Sequence, residues 1–152
     1  MEQAAQALYD AVAARLAPYV TTCVTQRYEE AFGVLAPEVM ERATVAGQAA
    51  SAEVLPELAS LLNADIDEQR STPLSLLRRA VAHADVALGE LGVPAIPADR
   101  FHAERFPGDH YLLTPASLAV LGEDVGDLAI TWGAAKAMAH RRRHLGPSRE
   151  RR

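Results

Sequence analysis

A chain of 152 residues, 49% of them hydrophobic, has the length of one domain and enough apolar side chains to build a core without disulfides. No stretch approaches the roughly 18 uninterrupted apolar residues of a transmembrane helix, and the opening MEQAAQALYD, with Glu2 and no base before Arg15, lacks the positive region of a secretory signal. The formal charge of −5 conceals an asymmetry: residues 1–135 hold 8 basic and 19 acidic residues, a net −11, whereas residues 136–152 hold 7 basic and 1 acidic, a net +6.

The first segment is helical up to Phe32. Leu8, Val12, Leu16, Tyr19, Val20, Cys23, Val24, Tyr28, Ala31 and Phe32 follow one another at spacings of three and four. Pro18 lies off this stripe and predicts a kink or two abutting helices. Gly33 is a natural stop. Cys23, the sole cysteine, excludes an internal disulfide and a CxxC zinc site, and its place on the stripe makes it a small buried apolar residue.

The second helical region starts near Pro37 and reaches about Asn63. Its stripe is Val39, Met40, Ala43, Ala46, Ala50, Val54, Leu58, Leu61 and Leu62, and Pro56 is expected to bend or divide it. The third helix has the sharpest boundaries. Ser71 or Thr72 caps its start, Pro73 suits the first helical position and Gly92 stops it. Leu74, Leu77, Val81, Ala84, Leu88 and Leu91 form a bundle seam between them. The small residues of 43–52 and this leucine seam serve either the core of a monomer or the face of a homodimer, so a homo-oligomer is among the expected assemblies.

VPAIPADRFHAERFPGDHYLLTP follows, with four prolines and two of the three phenylalanines. This segment predicts an irregular connection with short helical turns, one after Asp99 and one opening at Thr114-Pro115. Phe101, Phe106 and Tyr111 read as apolar plugs on the bundle. His102, Glu104, Asp109 and His110 carry potential metal-ligand atoms, but they share one irregular stretch with no HExxH spacing, so capping and loop hydrogen bonds are the simpler role. The last helix is expected from about Asp124 to Arg143. Val125, Leu128, Trp132, Ala135 and Met138 or Ala139 form its buried face, and Gly126 and Gly133 mark close packing. No alternating β-branched run has strand length and flanking turns.

The fold expected from this pattern is all-α: a compact bundle of about five or six helices, some proline-kinked, with the Pro- and aromatic-rich connection before the last one. Residues 1–145 would form a single helical domain and 146–152 a short basic C-terminal tail.

Function rests on the charge layout. Lys136, Arg141, Arg142, Arg143, Arg149, Arg151 and Arg152 place seven positive charges within seventeen residues. At about 100° per residue, Arg141 to Arg143 fan around the helix and cannot all face the core. Guanidinium groups make bidentate contacts with phosphate and carboxylate oxygens. Two plainer readings compete: cations favour a helix C-terminus, and a basic C-terminal tail can simply be solvated; fourteen arginines among fifteen basic residues also match GC-rich coding. A fold-back of the basic end onto Glu29, Glu30, Glu38 and Glu41 is a further reading. His140 and His144, four apart, share a face, but three arginines between them repel a metal cation. His83 reads as a helix-surface or core-edge histidine.

Phosphate loops, dinucleotide fingerprints and the GxSxG elbow are absent from the sequence. The expectation is therefore a non-catalytic cytoplasmic binding or regulatory protein without cofactor or metal and without membrane contact. Its acidic body would contact a protein partner, and its Arg-rich end nucleic acid or another acidic surface. The alternatives are a small-molecule or metal-binding protein or enzyme with a pocket under residues 93–115, and a structural homodimerisation module.

Overall fold

Each long apolar stripe becomes one α-helix. The computed structural model describes residues 2–65, 68, 71–94 and 116–150. In it, α1 spans Gln3–Phe32, α2 Pro37–Asn63, α3 Pro73–Glu90 and α4 Glu123–Glu150, with a 3-10 helix over Ala116–Leu121 directly before α4. The described residues contain no strand. The Pro- and aromatic-rich connection, including Phe101, Phe106 and Tyr111, lies outside them.

The described residues form four α-helices, and the prolines do not divide theirs. α1 runs unbroken through Pro18 and α2 through Pro56. A proline deletes one N–H and crowds the preceding turn. Leu16 and Val20, flanking Pro18, and Val54 and Leu58, flanking Pro56, are all buried, so tertiary packing holds the turns on both sides. α4 likewise outruns its expected end at Arg143 and continues across residues 145 and 146 to Glu150.

The predicted stops and caps have local causes and are found where expected. Gly33, at φ 79°, donates its N–H to the Glu29 carbonyl at 2.7 Å. Gly92, at φ 85°, lets Val93 N–H reach back to the Leu88 carbonyl at 2.9 Å. At the start of α3, Ser75 N–H donates to Thr72 Oγ1 at 3.1 Å and Thr72 N–H donates to Ser75 Oγ at 3.0 Å, with Pro73 in the first turn. This reciprocal pair satisfies two donors that the helix itself leaves open.

α1 touches every other helix, and its interface with α2 is the largest in the bundle. The two run antiparallel, with Thr21 Oγ1 donating to the Ala43 carbonyl at 3.2 Å. One turn further along α2, Gly47 lies against α1 so closely that an added Cβ would stand 2.5 Å from the Ala17 carbonyl oxygen and 2.6 Å from Thr21 Oγ1. Ala43, Ala46 and Ala50 are buried with it. Ala43, Ala46, Gly47 and Ala50 are therefore monomer core, as is the α3 seam around Leu77, Val81, Ala84 and Leu88.

α4 closes the bundle through Val125, Ala129 and Trp132. The indole of Trp132 is fully buried, and its Nε1–H donates at 3.3 Å to the Leu62 carbonyl in the last turn of α2. That carbonyl has no helical donor of its own, so one residue supplies both apolar volume and a C-terminal cap. Gly126 permits the close packing expected of it: an added Cβ would lie 3.1 Å from Ala119 Cβ in the 3-10 helix. Arg15 fastens the same corner by donating to the Leu121 carbonyl at 3.3 Å and gripping both oxygens of Asp124 at the start of α4. Beyond Gly133 no residue through Arg143 is fully buried; of the two candidates for the buried face, Met138 is exposed and Ala139 half-buried.

Gly47→Ala tests the α1–α2 approach. Alanine adds about 1 kcal/mol of helix propensity, but overpacking against a backbone carbonyl costs about 1–3 kcal/mol. Thermal denaturation should therefore show a Tm lower by several degrees. The control is Gly89→Ala, where an added Cβ meets nothing within 4 Å; it should raise stability by about 0.5–1 kcal/mol.

Candidate functional site

The basic cluster begins on a well-formed helix. Arg141, Arg142 and Arg143 are exposed on successive positions of α4, and Lys136 is half-buried. Lys136 and Arg143, seven apart, share a face. On that face Arg143 Nη1 lies 3.0 Å from Asp65 Oδ1, just beyond the end of α2. Arg142 Nη2 donates a weak hydrogen bond to Met138 Sδ at 3.5 Å. Arg149 lies on the same helix, while Arg151 and Arg152 fall outside the described residues. Among the described side chains of this cluster, Arg143 reaches an acid of another element. Arg141 and Arg142 instead present guanidinium groups outward, while Arg143 serves the protein's own end.

A second surface occupies the other end of the bundle. Phe32 (49% exposed), Val34 (67%), Leu35 and Met40 stand in solvent at the α1–α2 corner, and the Tyr28 and Phe32 rings lie 4.8 Å apart. Glu29, Glu30, Glu38 and Glu41 surround them, all exposed. Phe32 and Met40 were expected on the apolar stripes. The turn between α1 and α2 is so short that the last turn of one and the first turn of the other outreach the layer that would cover them. Closely following stripes separated only by residues 33–36 were the available signal. α2 separates this corner from Asp65 by about 40 Å at 1.5 Å per residue. The expected fold-back of the basic end onto these four glutamates is thus replaced, for Arg143, by the contact with Asp65.

Between α2 and α3 lies a groove of about 630 Å³. Its floor is alanine, with Val45 and Val86 exposed on its walls. Charged pairs bridge the two helices at either end. Arg42 meets Glu90 at one end. At the other, Arg79 holds both oxygens of Glu57, with Nη2 to Oε1 at 2.8 Å, and lies 3.5 Å from Glu53. His83, the expected core-edge histidine, lines the groove with Nε2 3.6 Å from Glu53 Oε2.

Two carboxyls are held below their ordinary range. The hydrogen bonds from Arg79 depress Glu57, and those from Arg15 depress Asp124; Glu57 in turn raises the pKa of Arg79. Among the described residues no three His, Cys, Asp or Glu side chains are grouped to hold a metal. His102, Glu104, Asp109 and His110, and most of the 93–115 segment over the alternative pocket, lie outside the described residues. No described helix is long and apolar enough to cross a membrane.

Comparison with protein-family models, with curated proteins and with solved structures found no match to this chain.

The depressed carboxyls set a pH dependence. A group with a lowered folded pKa contributes stability above its ordinary value and loses that contribution as pH falls through the folded value. The ordinary values are 4.5 for Glu57 and 3.8 for Asp124. Glu57→Gln/Asp124→Asn should therefore be modestly less stable than the parent at pH 7, with the gap closing as pH falls below about 4. Urea midpoints at pH 7, 5, 4 and 3 check the sign; a gap that widens on acidification contradicts it.

Proposed function

We propose that this protein is a non-catalytic cytoplasmic binding or regulatory protein that joins two partners of opposite charge. The carrying observation is the separation of its exposed groups. Arginines stand on a firm helix at one end, and an acid-rimmed apolar corner lies about 40 Å away at the other.

The corner suits a basic amphipathic segment of a protein partner. Phe32, Val34, Leu35 and Met40 offer apolar contact, and the four glutamates supply steering and orientation. The Arg-rich end suits nucleic acid or another acidic surface. Arg141 and Arg142 are free to make bidentate contacts, while Arg143 must first leave Asp65, an exposed pair that costs at most about 1 kcal/mol to break. A body of net charge −11 repels an enveloping polyanion, so the contact is made at the helix end only, as an accessory one within a larger assembly. Lys136, Arg149, Arg151 and Arg152 add to the local field around it.

Arg141→Ala/Arg142→Ala leaves every buried residue in place, so helicity should be unchanged by circular dichroism. Binding to a short DNA duplex, followed by fluorescence anisotropy across a salt series, should weaken. The slope of log affinity against log salt should become shallower by about 1.8 for two lost phosphate contacts. Removal of residues 141–152 should weaken binding further. An unchanged affinity and slope in both variants would refute the nucleic-acid arm; loss of binding to an acidic protein domain in a parallel titration would assign the end to carboxylates instead.

A further inference from the structure

The groove between α2 and α3 is lined by none of the residues of the two charged ends, and its lining repeats. On α2, Arg42, Val45, Ala49 and Glu53 occupy positions i, i+3, i+7 and i+11 of one face. On α3, Arg79, Ala82, Val86 and Glu90 occupy the same four positions. Each helix therefore carries an arginine at the start of this face, a glutamate eleven residues later and one valine and one alanine between them. The helices are antiparallel, as the Arg42–Glu90 and Arg79–Glu53 pairs require, so each end of the groove carries both signs, Arg42 and Glu90 at one and Arg79 with Glu53 and Glu57 at the other.

We infer that the α2–α3 groove is a self-association face occupied by the same groove of a second copy of this chain, the two related by a two-fold axis lying across the helices. The order of residues along the groove dictates this choice. Val45 and Val86 both lie nearer the Arg42–Glu90 end, whereas Ala49 and Ala82 lie nearer the Arg79–Glu53 end. A two-fold across the helices reverses the ends. It seats Val45 over Ala49 of the second copy and Val86 over Ala82, a large residue against a small one at each contact. The same operation sets Arg42 opposite Glu53 of the second copy and Arg79 opposite Glu90, so all four charge contacts are between opposite signs.

The valines supply the driving force. Val45 is 55% exposed and Val86 62% exposed, on walls whose floor of Ala46 and Ala87 is already buried. The face is small. Two helices about 10 Å apart over three to four turns present roughly 500 Å² per copy, near the lower limit of specific interfaces, so the dimer dissociates in about the micromolar range. This face differs from the small-residue face of α2, which α1 covers at Gly47.

Sedimentation equilibrium of the full chain from about 1 to 500 µM tests the inference. A reversible monomer–dimer equilibrium is expected, and Val86→Glu should raise its dissociation constant roughly 30-fold or more. R42E and E53R test the two-fold. Alone, each places like charges opposite one another in its own dimer and should dissociate on the order of ten-fold more readily. Mixed in equal amounts, the carboxylate introduced by R42E in one chain faces the guanidinium introduced by E53R in the other. The second contact of the pair keeps its native Arg42 and Glu53, so heterodimers should form with near-parental affinity. Within a single protomer neither substitution is repaired by mixing, and circular dichroism confirms that each variant is folded. A chain that remains monomeric throughout, a dimer indifferent to Val86→Glu, or a mixture no tighter than its separate components would overturn the proposal.

Discussion

At Gly47 the backbone of α2 meets the backbone of α1 with no room for a side chain between them. This contact sets the geometry of the bundle. It holds the two helices antiparallel and in register, with Thr21 bonded across to Ala43. It also decides how α2 is rotated about its own axis. Once Ala43, Gly47 and Ala50 face α1, Val45 and Ala49 face away from it, and α3 packs beside them to make a groove. The exposed corner at Phe32 has the same origin. The close pairing is joined by only four residues, and the chain ends on either side of that turn reach past their cover.

Trp132 extends the arrangement to the fourth helix. Its indole fills the core and closes the Leu62 carbonyl at the end of α2. The basic turn of α4 is thereby carried to the same end, where Arg143 finds Asp65. A helix C-terminus favours nearby cations, so the end of α2 receives first a neutral donor and then a guanidinium from the same neighbour. Arg15 and Asp124 fasten the start of α4 to α1. Between these two attachments α4 is a strut that presents Arg141 and Arg142 in defined directions, which a free tail would not do.

Four arginines of the described residues tie elements together. Arg42, Arg79, Arg15 and Arg143 each meet a carboxylate on another element. These pairs are exposed, so each contributes little stability by itself; they select the register and orientation of neighbours that apolar burial brings together. Among the charges left outward, Glu29, Glu30, Glu38 and Glu41 stand at the corner, and Arg141 and Arg142 stand on the far part of α4. Non-uniform surface charge of this kind acts on the choice of partners and on encounter rates more than on the fold.

The signals legible in the chain were those with local causes. Gly33 and Gly92 stop helices because a left-handed residue closes the last carbonyls, and Thr72 starts one because its hydroxyl meets the third N–H. Spacings of three and four placed Leu8, Leu16, Val81 and Trp132 in the core, since any neighbour would bury such a stripe. Proline did not divide either helix, because its penalty is local while the packing that holds the turns around Pro18 and Pro56 is not. Phe32, Met40 and Met138 fit their stripes equally well and remain exposed, because burial needs a second element at the same height along the bundle. For the basic end, sequence determined that arginines at 141–143 must diverge around a helix. Only the tertiary structure decided that Arg143 turns to Asp65 while Arg141 and Arg142 face outward, because that choice depends on where α2 ends in space, and Gly47 and Trp132 set that place together.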